Sequence, residues 1–184
     1  SSLEMLELPQ GKPIWKKLPG GATQMRRFSG NGDYLATDVW PERGDSQRAH
    51  VIVWSARGGA EIGSVSYTGV PIGMAVSGTG DRLALSLEQT RGDRLQASTG
   101  NILQIWALED GGYRLLAETD VPTSRTGEGS GYMSLSDLTF SPDASLLAAS
   151  TGYHATIRDV RTLKEVNAIG VPDRDPDQAV GNNV

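Results

Sequence analysis

FSGNGDYLA (residues 28–36), VSGTGDRLA (76–84) and FSPDASLLA (140–148) are three versions of one phrase, and they decide the fold. Each is followed, after a gap of varying length, by a segment rich in β-formers: VIVWS from Val51, LQIWA from Leu103 and TIRDV from Thr156. Within these second segments Trp54, Trp106 and Arg158 stand 52 residues apart each time. The first segments start unevenly, so the connections inside the repeats absorb the variation. A two-part unit at this spacing indicates an array of similar β-modules.

Working outward, the first unit reads as four strands. Residues 22–29 form an inner strand. Gly30-Asn31-Gly32-Asp33 supplies the glycine and asparagine that a tight turn with positive φ requires. A second strand runs over 34–39, with Leu35 in the core, and a polar loop follows over 41–47, where proline, glycine and aspartate exclude a central strand. Residues 50–55 are β-branched and aromatic, as suits a buried strand. Gly58-Gly59 then turns the chain into a more polar outer strand over 60–67. The second unit, 73–118, repeats this order with strands at 82–87, 101–108 and 113–118, and the third spans 134–169. At the front, 3–8 and 12–18 around a Gln10-Gly11 turn read as the last two strands of a preceding unit. The tail from Gly170 is too rich in proline, glycine and charge for more than a short inner strand at 178–180.

Composition fits a β-protein with many short strands. Of 184 residues 38% are hydrophobic and 6% aromatic, and the 23 glycines and 9 prolines supply turns. No stretch approaches the roughly 18 consecutive apolar residues of a membrane span. The opening SSLEMLELPQ carries no signal-peptide pattern. It begins on Ser1 rather than Met, as a piece of a longer chain would. The reading leans towards a soluble, cytoplasmic protein without fixing the compartment. There is no cysteine, which removes disulfides and thiolate metal sites. A net charge of −5 argues against general affinity for nucleic acid or anionic membranes. Lys16, Lys17, Arg26 and Arg27 are the clustered cations.

The F-S-P-D-x-x-x-L-A phrase at Phe140 and its variants at Phe28 and Val76 resemble the first half of a WD-type repeat. The segments ending in Trp54 and Trp106 resemble its second half, and Gly58-Gly59 and Gly111-Gly112 sit where that family turns to its outer strand. The chain is thus similar to a divergent, bacterial-type WD-repeat-like β-propeller. It departs from the pattern in reading Trp54-Ser55, Trp106-Ala107 and Arg158-Asp159, and in lacking the Gly-His dipeptide. The side-chain network of histidine, serine, tryptophan and aspartate that the resemblance would suggest is therefore not assignable from sequence. The implied fold class is all-β, with propeller blades built as four-stranded antiparallel meanders. The divisions are 1–20 (end of a preceding blade), 21–70, 71–121 and 122–172 (three blades), and 173–184 (a tail or the start of another).

Propellers have about four to eight blades, so this count leaves the circle incomplete. Terminal blades then expose apolar faces that normally pack on a neighbour. Three explanations stand: further blades in a longer polypeptide, a second copy completing the ring, or a stable open wedge.

Loops on a rigid scaffold carry most binding functions. Long connections fall at 40–49, 88–100 and 119–131, and the resemblance implies that they emerge on one face. Arg43, Asp45, Arg48, Arg91, Asp93, Arg94, Arg125 and Glu128 are the partner-binding candidates on that face. The competing reading is that unconstrained polar loops simply drift in length. Arg43-Gly44-Asp45 and Arg91-Gly92-Asp93 match an adhesion tripeptide, but a three-letter match of ordinary loop residues is better explained by internal duplication.

Other sites are weaker. His50 and His154 begin corresponding strands without further metal ligands. Asp173, Asp175 and Asp177 alternate like a calcium loop, but Gln178 replaces the glycine and no bidentate glutamate follows. The glycine-rich run 127–131 lacks the strand–loop–helix setting of a phosphate cradle. Ser29, Ser77 and Ser141 recur in every unit, which points to turn amides rather than a nucleophile. The expectation is a non-catalytic protein-binding or scaffold module with no cofactor and no metal. The alternatives are a regulatory or substrate-recognition part of a larger enzyme, or a propeller enzyme with its active residues on other blades.

Overall fold

A computed structural model describes residues 2–7, 9–40, 49–90, 98–121, 135–150 and 154–170. Among the described residues there are fourteen strands in four antiparallel sheets. A two-stranded sheet comprises β1 (Leu3–Glu7) and β2 (Lys12–Lys17). The first four-stranded sheet is β3 (Arg26–Phe28), β4 (Tyr34–Val39), β5 (His50–Ser55) and β6 (Glu61–Ser66). The second is β7 (Val70–Val76), β8 (Arg82–Thr90), β9 (Ser98–Glu109) and β10 (Gly112–Val121). The third is β11 (Asp137–Phe140), β12 (Leu146–Ser150), β13 (His154–Asp159) and β14 (Glu165–Gly170). In each four-stranded sheet the spatial order follows the chain order, the meander of a propeller blade. Among the described residues no helix is long and apolar enough to cross a membrane.

The registers repeat with the sequence. Leu35 pairs with Trp54, Leu83 with Trp106 and Leu147 with Arg158. The outer hairpins share a further device. Opposite that position the ladder skips one residue: Ile62 in the first blade, Leu116 in the second and Val166 in the third. The two-stranded sheet skips Ile14 in the same way, between Met5–Trp15 and Leu6–Pro13. In this register β1 and β2 resemble the outer pair of each blade. A bulge sharpens local twist and blunts an outer edge against pairing with other strands.

Blades stack through three apolar layers. Leu3 of β1 packs with Leu35, Val39, Ile52 and Trp54 of the first blade, and Met5 and Trp15 border this layer. Ala36, Val51, Val53 and Val65 of the first blade meet Met74, Leu83 and Leu85 of the second. Ala84, Leu103 and Ile105 of the second meet Leu138, Leu147 and Val160 of the third. A blade with neighbours on both sides buries both faces, which explains near-continuous apolar runs such as VIVW in β5. The third blade differs. Ala148 and Ile157 occupy the register of Ala36–Val53 and Ala84–Ile105, all four of which are 0% exposed, yet they stay partly exposed.

The first turns are built alike. Ser29, Ser77 and Ser141 each accept, through Oγ, the amide of the residue five positions on (Tyr34, Arg82, Leu146) at 3.0 Å. The recurrent serines therefore satisfy turn amides, as their repetition implies. Gly32 and Gly80 hold φ of 76° and 71° there, and Ala144 takes the same left-handed place at 55°. A side chain costs roughly 1–2 kcal/mol in that conformation.

One inner strand is shorter than the sequence indicates. Residues 22–29 read as a continuous strand, but the ladder covers only Arg26–Phe28, with an isolated bridge from Ala22 to Trp40. The cause lies in Asp38, whose Oδ1 accepts the Gln24 and Met25 amides at 2.7 Å each. Those amides are thereby drawn away from backbone pairing.

Candidate functional site

The three first turns gather at one end of the stack. Asn31, in the first of them, donates from Nδ2 to the Gly78 carbonyl of the next at 2.8 Å. Asn31 itself is braced by Ser29 Oγ at 2.7 Å and by Asp33 Oδ2 at 2.9 Å. Gly30, Asn31, Gly78, Thr79, Ser141 and Pro142 together line one cleft of about 430 Å³. Its floor is β7 and its walls carry Arg27 and Phe28 on one side, Leu138 and Phe140 on the other. Each wall is the first strand of a blade, so the cleft runs along the axis about which the blades are arranged. At Gly73 of β7 an added Cβ would lie 2.5 Å from the Leu135 carbonyl, so only glycine lets the incoming chain seat so closely.

Chain direction then fixes the opposite end. In an antiparallel meander the second and fourth strands run the same way. β4, β8 and β10 therefore all finish away from the first turns, at Val39, Thr90 and Val121. β5, β9 and β11 restart there at His50, Ser98 and Asp137. These strand ends bound the three long connections, and residues 88–90, 98–100 and 119–121, read as loop in the sequence, belong to β8, β9 and β10. Arg43, Asp45, Arg48, Arg91, Asp93, Arg94, Arg125 and Glu128 all fall on those connections and lie outside the described residues.

Beneath the root of the first connection sits a polar cluster that the sequence reading missed. Asp38 is 0% exposed, and its carboxylate takes the Gln24 and Met25 amides on Oδ1 and the Trp40 indole N–H on Oδ2, each at 2.7 Å. Trp40 is also tied through its backbone, with Ala22 and Trp40 exchanging N–H···O bonds of 2.8 and 3.1 Å. The carboxylate thus pins the entry segment, β4 and the base of the connection together. Burial, and secondarily the Asp38 charge, push the Tyr67 hydroxyl well above its ordinary range.

The Trp54 position also carries more structure than its sequence suggests. Trp54 Nε1 donates to Thr37 Oγ1 across the sheet at 2.9 Å, a tryptophan–hydroxyl bond that the sequence left unassigned. In the second blade Leu85 replaces that threonine, and Trp106 donates instead to Gln104 at 3.2 Å. Arg158 holds the same register position in the third blade. Its guanidinium reaches Thr156 Oγ1 at 3.2 Å and the Leu163 carbonyl at 3.0 Å, which secures the last hairpin.

Electrostatics at the turn end are local. Burial raises the Asp81 carboxyl, but hydrogen bonds from Thr79 and Ser77 and the Arg82 charge outweigh it, leaving it below its usual range. Asp143 is held at about 2 by Ser141 Oγ, the Ser145 amide and Ser145 Oγ. The depressed value means that this turn gains stability above the unfolded carboxyl's value of about 3.9, and loses it as pH falls through about 2. A carboxyl-carbon NMR titration should give Asp143 a midpoint near 2, and Ser141→Ala should move it upward. An unmoved midpoint would contradict this account of the turn.

His50 is partly buried at the start of β5, and the side chain of His154 is outside what the structure describes. Among the described residues no group of three or more histidine, aspartate or glutamate side chains is placed to hold a metal.

No family model matches the chain, and no curated protein matches it in sequence. Solved structures do match its fold. The complex of KlAtg21 with the coiled-coil of AgAtg16 aligns over 92% of this chain and 50% of that one, at 17% identity and a TM-score of 0.63. The β-propeller domain of Cps50 (Swd1) from Myceliophteria thermophila aligns over 92% and 51%, at 14% identity and a TM-score of 0.59. BamB from Moraxella catarrhalis aligns over 88% and 41%, at 13% identity and 0.54. The likeness is one of fold: the chain forms propeller blades, and it spans about half the length of the structures it matches.

Proposed function

We propose that this chain is a non-catalytic protein-binding part of a propeller, and that its partner meets the face from which the three long connections leave. One observation carries the reading: the first turns share the opposite end, held there by the Asn31–Gly78 bond and the common cleft. The strand ends that bound 41–48, 91–97 and 122–134 lie at one end of the sheets, in keeping with loops that bind while the scaffold stays fixed. Arg43, Asp45, Arg48, Arg91, Asp93, Arg94, Arg125 and Glu128 supply both charge signs to that face. One fold neighbour was solved in complex with a coiled-coil, which is in keeping with a protein ligand. The recurrent serines support the non-catalytic reading, since each is committed to its turn.

The same proposal includes further β-structure that covers the outer face of the third blade and completes the ring. Ala148 and Ile157 stand in the register that a following blade covers elsewhere in the chain.

The test is comparative capture. Three variants carry glycine–serine of equal length in place of 41–48, 91–97 or 122–134, and a fourth carries Arg57→Glu at the turn end. Proteins retained by the unaltered chain should be lost from the loop variants and kept by the fourth. Equal retention by all would overturn the assignment of the face.

A further inference from the structure

We draw no further inference here: the strongest candidate, the axial cleft in front of β7 between Phe28 and Phe140, is a partly apolar groove with a single guanidinium on its wall, and nothing in the structure shows what covers it.

Discussion

Asp38→Ala is expected to destabilise the chain by about 3–5 kcal/mol in urea unfolding, on the scale of breaking a buried charged contact. The carboxylate is fully buried and accepts three hydrogen bonds, each 2.7 Å long. A methyl group would leave two part-buried backbone amides and an indole N–H without this acceptor. Each such group costs about 1–3 kcal/mol, and the three are not additive because the segment can relax towards water. Against a total stability of about 5–15 kcal/mol for an ordinary domain, the loss is large. Asp38→Asn should cost less, about 2 kcal/mol, because its carbonyl still serves the Gln24 and Met25 amides while its amino group faces another donor. A change within about 0.5 kcal/mol, typical of a surface site, would show that the cluster does not pin the entry segment. The functional consequence follows from position. Trp40 stands immediately before the first long connection, so loosening Asp38 should loosen the base of the proposed binding face.

Ile105→Ala and Ile157→Ala form the second experiment, because the two residues hold the same place in consecutive blades. Ile105 is 0% exposed between the second and third blades, and truncating it should cost about 2–5 kcal/mol. Ile157, in the matching place on the third blade, stays partly exposed, so its truncation should cost less, about 1 kcal/mol. Denaturant midpoints of the two variants at constant slope give the comparison. If further β-structure covers the third blade, the cost of Ile157→Ala should rise towards that of Ile105→Ala in the completed ring. Equal costs in this chain alone would contradict the open face.

The architecture was legible because three imperfect copies of one phrase constrain each other. β4 and β5 run over the residues that the sequence indicated, since their apolar and β-branched content answers to burial on both faces. The inner strand at 22–29 was misread because its boundary is set by a side chain thirteen residues away in sequence, the carboxylate of Asp38. Propensity carries no information about such a contact. The bulges at Ile14, Ile62, Leu116 and Val166 were equally hidden, since a one-residue register shift leaves the hydrophobic pattern almost unchanged. Thr37 was within reach: pairing the second and third strands from their turn brings it near Trp54, but no aspartate followed the tryptophan to prompt the search. That the long connections share a face came from the resemblance; what the structure describes is that the strands bounding them end away from the first turns. The eight charged residues proposed on them rest on sequence alone.

That shared end of the first turns is the premise for the binding face, and a crosslink tests it most directly. Gly30 has open space where a Cβ would stand, Pro142 is exposed, and both line the axial cleft from blades that flank the second. The chain has no cysteine, so Gly30→Cys with Pro142→Cys introduces the only two thiols. In dilute native solution a short bis-maleimide should join them within one molecule, and should fail to do so in urea. Failure to join them in the native chain, with both thiols reactive, would contradict the account.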